Sequence, residues 1–470
     1  MSIIDIVIIV AYFIFLLVMG AISRRKIKGE ADFAIAGRTL GYPLTIGAVI
    51  ATAIGAASTI GKAGLAYKIG MPALWTVVSY CIGFIAFAFL AYAIRRVKYW
   101  TIPSVLKARY GSGTMIVTAF LLIPGLIALT GLQIAALGTV FNATGVTWIN
   151  FETAAIVAGI VMIAYTIAGG MFAIAYTDIV QAILILVIIG VVMPIVLFSG
   201  IQFGDVVAKL PSNMWDFWGG VPPQTIVSWF LSLAPMVLID VTLWQRASSA
   251  KSENVAIRSV LISGFLYLVY GTIVILIGIL GAYLYPNLVK DFGSADLIMP
   301  IMILDNLPTG MIGLAIAAIF AVLMSTASST LMVAGITISS DIARLFKPSL
   351  SDKGSLIIAR IAIVLVGALG IVFALQKMGI YDMLLLTFAI FISIALIPVM
   401  AALFWDKATK AGAIASMCSG ALAVVIFYAF NKYLNIEPIF AALVVSLLAM
   451  VVVSLITYKE GVTPGKLYVK

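Results

Sequence analysis

The stretch Ala51-Thr52-Ala53-Ile54-Gly55-Ala56-Ala57-Ser58 lies in the middle of a long apolar segment, residues 41–68. Small residues allow helices to pack closely, and glycine lowers the cost of leaving helical geometry. A second apolar segment, residues 225–246, contains Pro235 and then Asp240. Two interrupted membrane helices at corresponding positions in two halves of a chain indicate a transporter with a site near the bilayer midplane. Ordinary glycine packing and a tolerated proline kink are the alternative explanation.

Five hydroxyl side chains lie in a third apolar segment, residues 308–336, in the run Ser325-Thr326-Ala327-Ser328-Ser329-Thr330. We call this run the hydroxyl cluster. At helical spacing its three serines share one face, and Thr326 lies beside that face. Hydroxyl oxygens are hard ligands that suit a hard cation such as sodium. The alternative is that the hydroxyls bond to carbonyls one turn earlier or pack helix against helix.

The composition is that of a polytopic membrane protein. Of 470 residues, 64% are hydrophobic and 10% are charged, whereas soluble proteins contain about 25% charged residues; the mean hydropathy is +1.22. The net charge of +10 comes from basic residues in short loops, so no nucleic-acid partner is expected. Cys81 and Cys418 fall inside apolar segments, which predicts no disulfide framework. The chain has no histidine, the commonest proton carrier and metal ligand.

A transmembrane helix needs about 20 apolar residues. The sequence offers thirteen candidates, near 3–23, 41–68, 72–94, 114–141, 150–170, 176–199, 225–246, 259–285, 308–336, 355–376, 382–404, 410–430 and 437–457. With the N-terminus outside and the C-terminus in the cytoplasm, most of the 28 basic residues lie on the cytoplasmic side. The outward set is Lys62, Lys68, Lys209, Lys290, Lys377 and Lys432. The sequence therefore predicts a multi-pass protein of the cell membrane.

Four charged residues fall within or near the apolar zone, where a charge costs about 2.5–3.5 kcal/mol. Arg360, near the inner end of the tenth segment, can extend to the inner surface and is assigned no role. Asp178 is either a functional carboxylate or an interfacial helix cap. Asp240 is expected to face water, a cation or a hydrogen-bond donor. Lys62 lies about 12 Å outward of Ile54 along a helix, so a direct pair with Asp240 is not expected.

Six short motifs carry a resemblance to a known family. They are Gly37-Arg38-Thr39-Leu40-Gly41, Thr101-Ile102-Pro103, the run from Gly169 to Gln181 containing Thr177-Asp178-Ile179-Val180, Gln245-Arg246 with Ala250-Lys251-Ser252, Met324-Ser325-Thr326 and Ser340-Asp341-Ile342. In their order and spacing the chain resembles, over nearly its whole length, the sodium:solute symporter family. That family includes sodium/galactose, sodium/proline, sialic acid and pantothenate carriers.

The resemblance implies an all-α membrane fold with a core of two inverted repeats of five helices, of the leucine-transporter type. The first helix of each repeat is broken. The implied organisation is an additional helix and inner loop in residues 1–40, a first repeat in 41–200, an outer loop in 201–224, a second repeat in 225–404, and two additional helices with a short inner tail in 405–470.

The resemblance also implies ion sites. The main sodium site would use carbonyls of Ala51, Ile54 and Val322 with the hydroxyls of Ser325 and Thr326. Some members hold a second sodium, and the matching positions here are Asp178, Ser325, Ser328 and Ser329. All four residue types are present, so a second site is an expectation.

The solute is expected to bind beside the ion site, between the broken helices. The expected lining positions are Ser58, Lys62, Thr76, Ser79 and Pro235. Sugar carriers place amide and acidic side chains at several of these positions, and this chain does not. Lys62 stands where a hydrophobic outer residue is common in the family, and an ammonium there suits an anionic solute. The alternative is a lysine that reaches the outer aqueous vestibule without touching solute.

The sequence thus predicts a secondary active transporter, not an enzyme, that imports a carboxylate or amino-acid-like solute with sodium by alternating access. It predicts sodium as the coupling ion, and neither an organic cofactor nor an obligatory protein partner. Proton coupling on the same fold, through Lys62, Asp178 or Asp240, is the alternative. A non-transporting sensor is less favoured, because no soluble signalling domain is visible in the sequence. A channel would be distinguished by solute flux without accumulation against a gradient.

Overall fold

The computed structural model describes residues 1–23, 29–97, 101–144, 150–376, 379–434, 438–460 and 467. These residues fold into helices, with a single bridge between Leu40 and Ala250 as the only strand-like pairing among them. The main helices are α1 (Ile3–Ser23), α2 (Tyr42–Ala53), α3 (Lys62–Ile69), α4 (Leu74–Val97), α5 (Ser112–Ala143), α6 (Phe151–Leu184), α7 (Pro223–Ile239), α8 (Val241–Ser249), α9 (Glu253–Leu284), α10 (Met311–Ile336), α11 (Asp352–Ala374), α12 (Ile380–Phe404), α13 (Lys410–Leu434) and α14 (Pro438–Thr457).

Short helical pieces connect or extend the main helices. The α-helical pieces are Glu30–Ile35, Ile102–Tyr110, Met193–Phe198, Phe203–Lys209, Leu288–Phe292, Ile298–Asn306 and Arg344–Phe346. Wider π-helical turns lie at Ala57–Gly61, Ile185–Val192 and Thr337–Ala343, and 3-10 turns at Ala36–Arg38, Met71–Ala73, Ser212–Met214 and Ala295–Leu297.

The described residues contain 11 helices that are long and apolar enough to cross a membrane, and a bent pair that counts as a twelfth. One of the 11, Phe151–Phe198, has 48 residues. At 1.5 Å per residue it would be about 72 Å long, more than twice the roughly 30 Å of a bilayer core. Gly170 interrupts it with a non-helical backbone, φ 54° and ψ −156°. The segment therefore crosses twice, which agrees with the predicted spans 150–170 and 176–199 and gives thirteen.

The first predicted break is present in the second span. Helix α2 ends at Ala53, and Ile54 is extended, with ψ 99°. The chain resumes as Ala57–Ile69, which is bent by 61° from α2. The small residues of this stretch are buried, because the surrounding helices pack directly against the bent backbone.

The second break falls at Asp240 rather than at Pro235. Asp240 is extended, with φ −63° and ψ 107°, between α7 and α8, whereas Pro235 lies inside α7. The Asp240 side chain accepts hydrogen bonds from the backbone N–H groups of Thr242 at 2.8 Å and Leu243 at 3.2 Å. The carboxylate thus caps the start of α8, which explains why the helix stops there and not at the proline.

Helix α10 lies at the centre of the bundle. In its most apolar window 89% of residues are buried, compared with 28% in α14. It packs against α1, α2, α5, α6 and α11. Asp5 of α1 holds the N-terminus of α10 in place. Its Oδ1 accepts hydrogen bonds from the N–H groups of Gly310 at 2.8 Å and Gly313 at 2.9 Å. The hydroxyl cluster on α10 therefore faces protein and not lipid.

The repeat boundaries and the orientation remain predictions. The two broken spans lie where the implied repeats of residues 41–200 and 225–404 begin. Several of the basic residues behind the predicted orientation lie outside the described residues, namely Arg24, Arg25, Lys26, Lys28, Lys98, Lys377, Lys466 and Lys470, and the Lys432 side chain is not described either.

Candidate functional site

Side chains replace the helical hydrogen bonds lost at the first break. The Gly55 N–H donates to the Ser58 hydroxyl at 2.7 Å, and the Ala56 N–H donates to Gln133 Oε1 at 2.9 Å. In a continuous helix these two groups would donate to the carbonyls four residues earlier. The break therefore releases main-chain carbonyls inside the bundle, away from lipid.

The first break meets the hydroxyl cluster at Thr326. Thr326 Oγ1 donates to the Thr52 carbonyl at 3.0 Å and lies 3.3 Å from the Val322 carbonyl. A Cβ at Gly55 would come within 3.1 Å of the same oxygen, so a small residue is required there. Ser325 Oγ is buried and has no hydrogen-bond partner of normal geometry in the described part of the chain. Carbonyl and hydroxyl oxygens thus converge, as a hard cation requires.

Two of the five predicted ligands of the main sodium site, Val322 and Thr326, meet at this junction. Ser325 precedes Thr326 in the chain, and its hydroxyl lies beside Asp178. The carbonyl that Thr326 contacts belongs to Thr52, which lies in the same turn between Ala51 and Ile54. Within the described residues, the Ala51 and Ile54 carbonyls make no hydrogen bond to the hydroxyl cluster. Sequence reasoning did not single out Thr52, although it lies inside the quoted stretch.

The other hydroxyls of the cluster bond to their own helix. Ser328 and Ser329 donate to the Ser325 carbonyl at 2.9 Å and 2.8 Å, and Thr330 donates to the Thr326 carbonyl at 2.8 Å. The alternative of bonding one turn back therefore describes these three side chains. Thr326 combines such a bond, to the Val322 carbonyl, with its contact to the Thr52 carbonyl.

A buried ion pair lies one turn further along the bundle. Arg246 Nη2 is 3.1 Å from Asp178 Oδ2, and both side chains are fully buried. The same nitrogen contacts Thr52 Oγ1 at 3.2 Å and the Ser329 hydroxyl. Asp178 is inside α6 and does not cap a helix. Sequence reasoning counted Arg246 among the cytoplasmic basic residues; the structure buries it, because Asp178 supplies the opposite charge.

The predicted second sodium site therefore overlaps with this ion pair. Asp178 Oδ2 is taken by Arg246, but Asp178 Oδ1 and Ser325 Oγ are buried without a hydrogen-bond partner of normal geometry in the described residues. The Ser325 hydroxyl lies close enough to the Asp178 carboxylate for a hydrogen bond of relaxed geometry. These two oxygens therefore lie together, beside a carboxylate whose charge Arg246 already compensates.

A cavity of about 50 Å³ lies between the two broken helices. Its polar lining is Thr52, Ser58, Lys62, Gln133, Asp240, Thr242 and Thr326, and its apolar and aromatic lining includes Tyr80, Leu129, Leu233, Tyr267, Leu384 and Phe388. Of the predicted solute-lining residues, Ser58 and Lys62 line this cavity. Thr76, Ser79 and Pro235 are not among its lining residues, and the hydroxyls of Thr76 and Ser79 donate to carbonyls of Ala73 at 2.7 Å and Trp229 at 3.1 Å.

Lys62 is buried in the wall of this cavity, with 2% of its surface exposed. Its ammonium donates to the Tyr267 hydroxyl at 2.7 Å and lies 4.7 Å from the centre of that ring. The Tyr80 ring stacks on Tyr267 at 4.7 Å. The alternative of a lysine extended into an open outer vestibule does not fit this burial. Among the described residues, no ion pair joins Lys62 to Asp240.

A sodium:solute symporter family model matches residues 33–420 of this chain. Over 463 residues the chain is 26% identical to the high-affinity proline transporter PutP of Bacillus subtilis, covering 94% of this chain and 96% of that protein. It is 25% identical over 499 residues to a sodium/proline symporter of Staphylococcus aureus, covering 97% and 93%.

Solved structures share the fold. A Na⁺-coupled sialic acid symporter in a substrate-bound outward-open state superposes with a TM-score of 0.81 at 18% identity, over 100% of both chains. The nucleobase-cation symporter Mhp1 gives 0.59 at 15% identity, over 93% of this chain and 96% of Mhp1. MhsT in complex with L-phenylalanine gives 0.58 at 15%, over 89% and 98%. The predicted leucine-transporter-type fold is confirmed by these likenesses.

Proposed function

This chain belongs to the sodium:solute symporter family and is a sodium-coupled symporter of a small solute, and we propose that its sodium binds where Thr326 meets the first break. The single observation that supports this placement is the contact of Thr326 Oγ1 with the Thr52 carbonyl, next to the buried Ser325. This contact joins α2, the helix that ends at the first break, to the buried helix α10, and several carbonyl and hydroxyl oxygens lie near it.

In this proposal the ion separates Thr326 from the Thr52 carbonyl and takes oxygen ligands from both sides. The carbonyls of Ala51, Ile54 and Val322 complete the set. Ser325 and Thr326 supply the hydroxyls. Binding would fix the angle between the helix pieces on either side of the break, and so order the adjoining cavity for solute.

A second sodium is supported by the buried oxygens of Asp178 and Ser325, which lie close to each other. Ser328 and Ser329 would have to turn from the Ser325 carbonyl to join them. Arg246 already compensates the Asp178 charge, so we propose that this site binds sodium more weakly than the main site.

The solute is proposed to be a carboxylate or an amino-acid-like compound that binds in the cavity between the broken helices. The proline carriers among the relatives support this class, as does the ammonium in the cavity wall. The two positions of the expected lining that face the cavity, Ser58 and Lys62, would contact it. The proposal places the protein in the cell membrane with its N-terminus outside and its C-terminus in the cytoplasm.

The test of the sodium site compares side chains of equal shape with and without a hydroxyl. Thr326→Val and Ser325→Ala should raise the sodium concentration for half-maximal uptake by about tenfold or more, about 1.4 kcal/mol. Thr326→Ser should have little effect, because it keeps the oxygen. Thr330→Val is the matched control, since Thr330 bonds only to its own helix.

Uptake into proteoliposomes, measured over a range of sodium concentrations with choline as the replacement cation, gives the readout. An unchanged sodium requirement in both Ser325→Ala and Thr326→Val would remove the proposed site. Solute accumulation in sodium-free medium at low outside pH would favour the proton-coupled alternative through Lys62, Asp178 or Asp240.

A further inference from the structure

The Lys62 ammonium is a buried cation without a carboxylate partner among the described residues. Its only hydrogen bond there goes to the neutral Tyr267 hydroxyl, and the Tyr267 and Tyr80 rings flank it at 4.7 Å and 5.9 Å. An ammonium has three N–H donors, so two are not used by Tyr267. Burying a charge without an opposite charge is costly, so a buried amine either gives up its proton or takes an anionic partner.

The side chain lines the cavity, and so does the start of its helix. Ala57 and Ser58 open the helical piece Ala57–Ile69 at the break, and both line the same cavity as Lys62. The start of a helix carries a partial positive charge. Helix start and ammonium therefore make one side of the cavity attractive to an anion.

The carboxylate on the other side of the cavity is occupied. Asp240 Oδ1 accepts hydrogen bonds from two backbone N–H groups and from the Thr242 hydroxyl, as the cap of α8. Among the described residues, Asp240 forms no ion pair with Lys62. The remaining wall is largely apolar, with Leu129, Leu233 and Phe388.

We infer that Lys62 is the residue that selects the solute, by exchanging the Tyr267 hydroxyl for the carboxylate of a solute with a small apolar body. This inference rests on the proposed function and deepens it. The exchange needs no net loss of hydrogen bonds and gives the buried ammonium its opposite charge. The solute would then bind the helical piece Ala57–Ile69, which begins next to the proposed sodium site. Solute and ion would therefore act on the same bent segment.

Both a simple monocarboxylate and a zwitterionic amino acid present this carboxylate. Three matched compounds separate them: cyclopentanecarboxylate is an anion, proline is a zwitterion of similar shape, and cyclopentanecarboxamide is neutral. Straight-chain carboxylates from acetate to octanoate and their amides extend the panel. Sodium-dependent binding to the purified protein and uptake into proteoliposomes are measured for each compound.

We expect at least one carboxylate to bind and its matched amide not to bind. Lys62→Met should raise the KM for that carboxylate by about tenfold or more and leave the sodium concentration for half-maximal uptake nearly unchanged. Lys62→Arg should retain part of the affinity, because it keeps a cation. Lys68→Met is the matched control, since Lys68 is on the same helix but is exposed.

Thermal unfolding of each variant shows that the protein is folded before transport is compared. The inference is overturned if no carboxylate binds in the presence of sodium, if amides bind as well as carboxylates, or if Lys62→Met keeps the wild-type KM. Sodium-driven uptake that is unchanged in Lys62→Met overturns only this inference. Uptake that needs Lys62 but proceeds equally in choline overturns only the proposed sodium site.

Discussion

Arg246 shows at the scale of one residue how a charge is kept inside a membrane bundle. Its guanidinium contacts Asp178 of α6, Thr52 of α2 and Ser329 of α10, so one side chain from α8 connects three other helices. Arg246 thereby connects the two broken spans, because α2 belongs to the first broken span and α8 belongs to the second. A change in the angle of either break must therefore rearrange these contacts.

Replacing Arg246 by glutamine should destabilise the protein strongly, by about 3–5 kcal/mol, because the Asp178 carboxylate is left buried and uncompensated. The double variant Arg246→Gln with Asp178→Asn should recover part of this loss. If the second site binds sodium, added sodium should stabilise Arg246→Gln more than it stabilises the wild type, since the ion replaces the guanidinium beside Asp178.

Thermal unfolding in detergent, with sodium or choline chloride at equal ionic strength, measures these effects. An Arg246→Gln variant as stable as the wild type would show that the pair contributes nothing. Equal responses of both proteins to sodium would argue against an ion beside Asp178.

At the scale of elements, the breaks in the helices are set by local chemistry. Gly170 divides the 48-residue segment because its φ of 54° lies in a region that favours glycine. Asp240 divides the seventh span because its carboxylate satisfies the first N–H groups of α8. Neither break needs a proline.

Gly170→Ala should lower stability by about 2–4 kcal/mol, from backbone strain and from a clash. A Cβ there would come within 2.6 Å of the Phe33 ring. Gly190→Ala is the control in the same segment, since the nearest atoms to its Cβ would be 3.9 Å away. Equal unfolding temperatures of the two variants would show that the Gly170 turn is not required.

Substitutions at Asp240 distinguish two roles of this residue, a structural helix cap and a charge that takes part in transport. Asn is about as good a cap as Asp, whereas Ala costs about 1 kcal/mol. We expect Asp240→Asn to keep stability and sodium-driven uptake, and Asp240→Ala to lose stability. Asp240→Asn that folds normally but no longer transports would instead assign the charge a direct role, as in the proton-coupled alternative.

At the scale of the whole molecule, the cavity must change volume during transport. Its volume of about 50 Å³ accommodates a few water molecules, whereas sites for organic ligands occupy about 300–1,000 Å³. Solute entry therefore requires the broken helices to move relative to the helices around them. The contacts of Lys62 with Tyr267 and of Thr326 with Thr52 hold the cavity contracted.

The charge moved per cycle follows from the solute class. Symport of a zwitterion with one sodium moves one net positive charge inward, because the zwitterion itself is neutral. A voltage of 100 mV then supports about 50-fold accumulation of the solute. A monocarboxylate with one sodium moves no net charge, so voltage should not drive it. Proteoliposomes with an imposed potassium diffusion potential distinguish these cases, with proline and cyclopentanecarboxylate as the solutes.

A voltage effect on cyclopentanecarboxylate uptake would require a second sodium per cycle. In that case Ser328→Ala should abolish the voltage effect, since Ser328 belongs only to the second set. Persistence of the effect in this variant would contradict a second ion at that position.

The number of spans, the identity of the two interrupted helices and the polar residues on α10 could be predicted from the amino-acid sequence. These features follow from hydropathy and from residue types that act over a few neighbours. The pairing of Arg246 with Asp178, 68 positions away, and the burial of Lys62 against Tyr267 became visible in the folded protein alone. The tertiary structure also placed Thr52, and not its neighbours, against Thr326. Such pairs depend on how distant helices pack and rotate, which no local pattern of residues specifies.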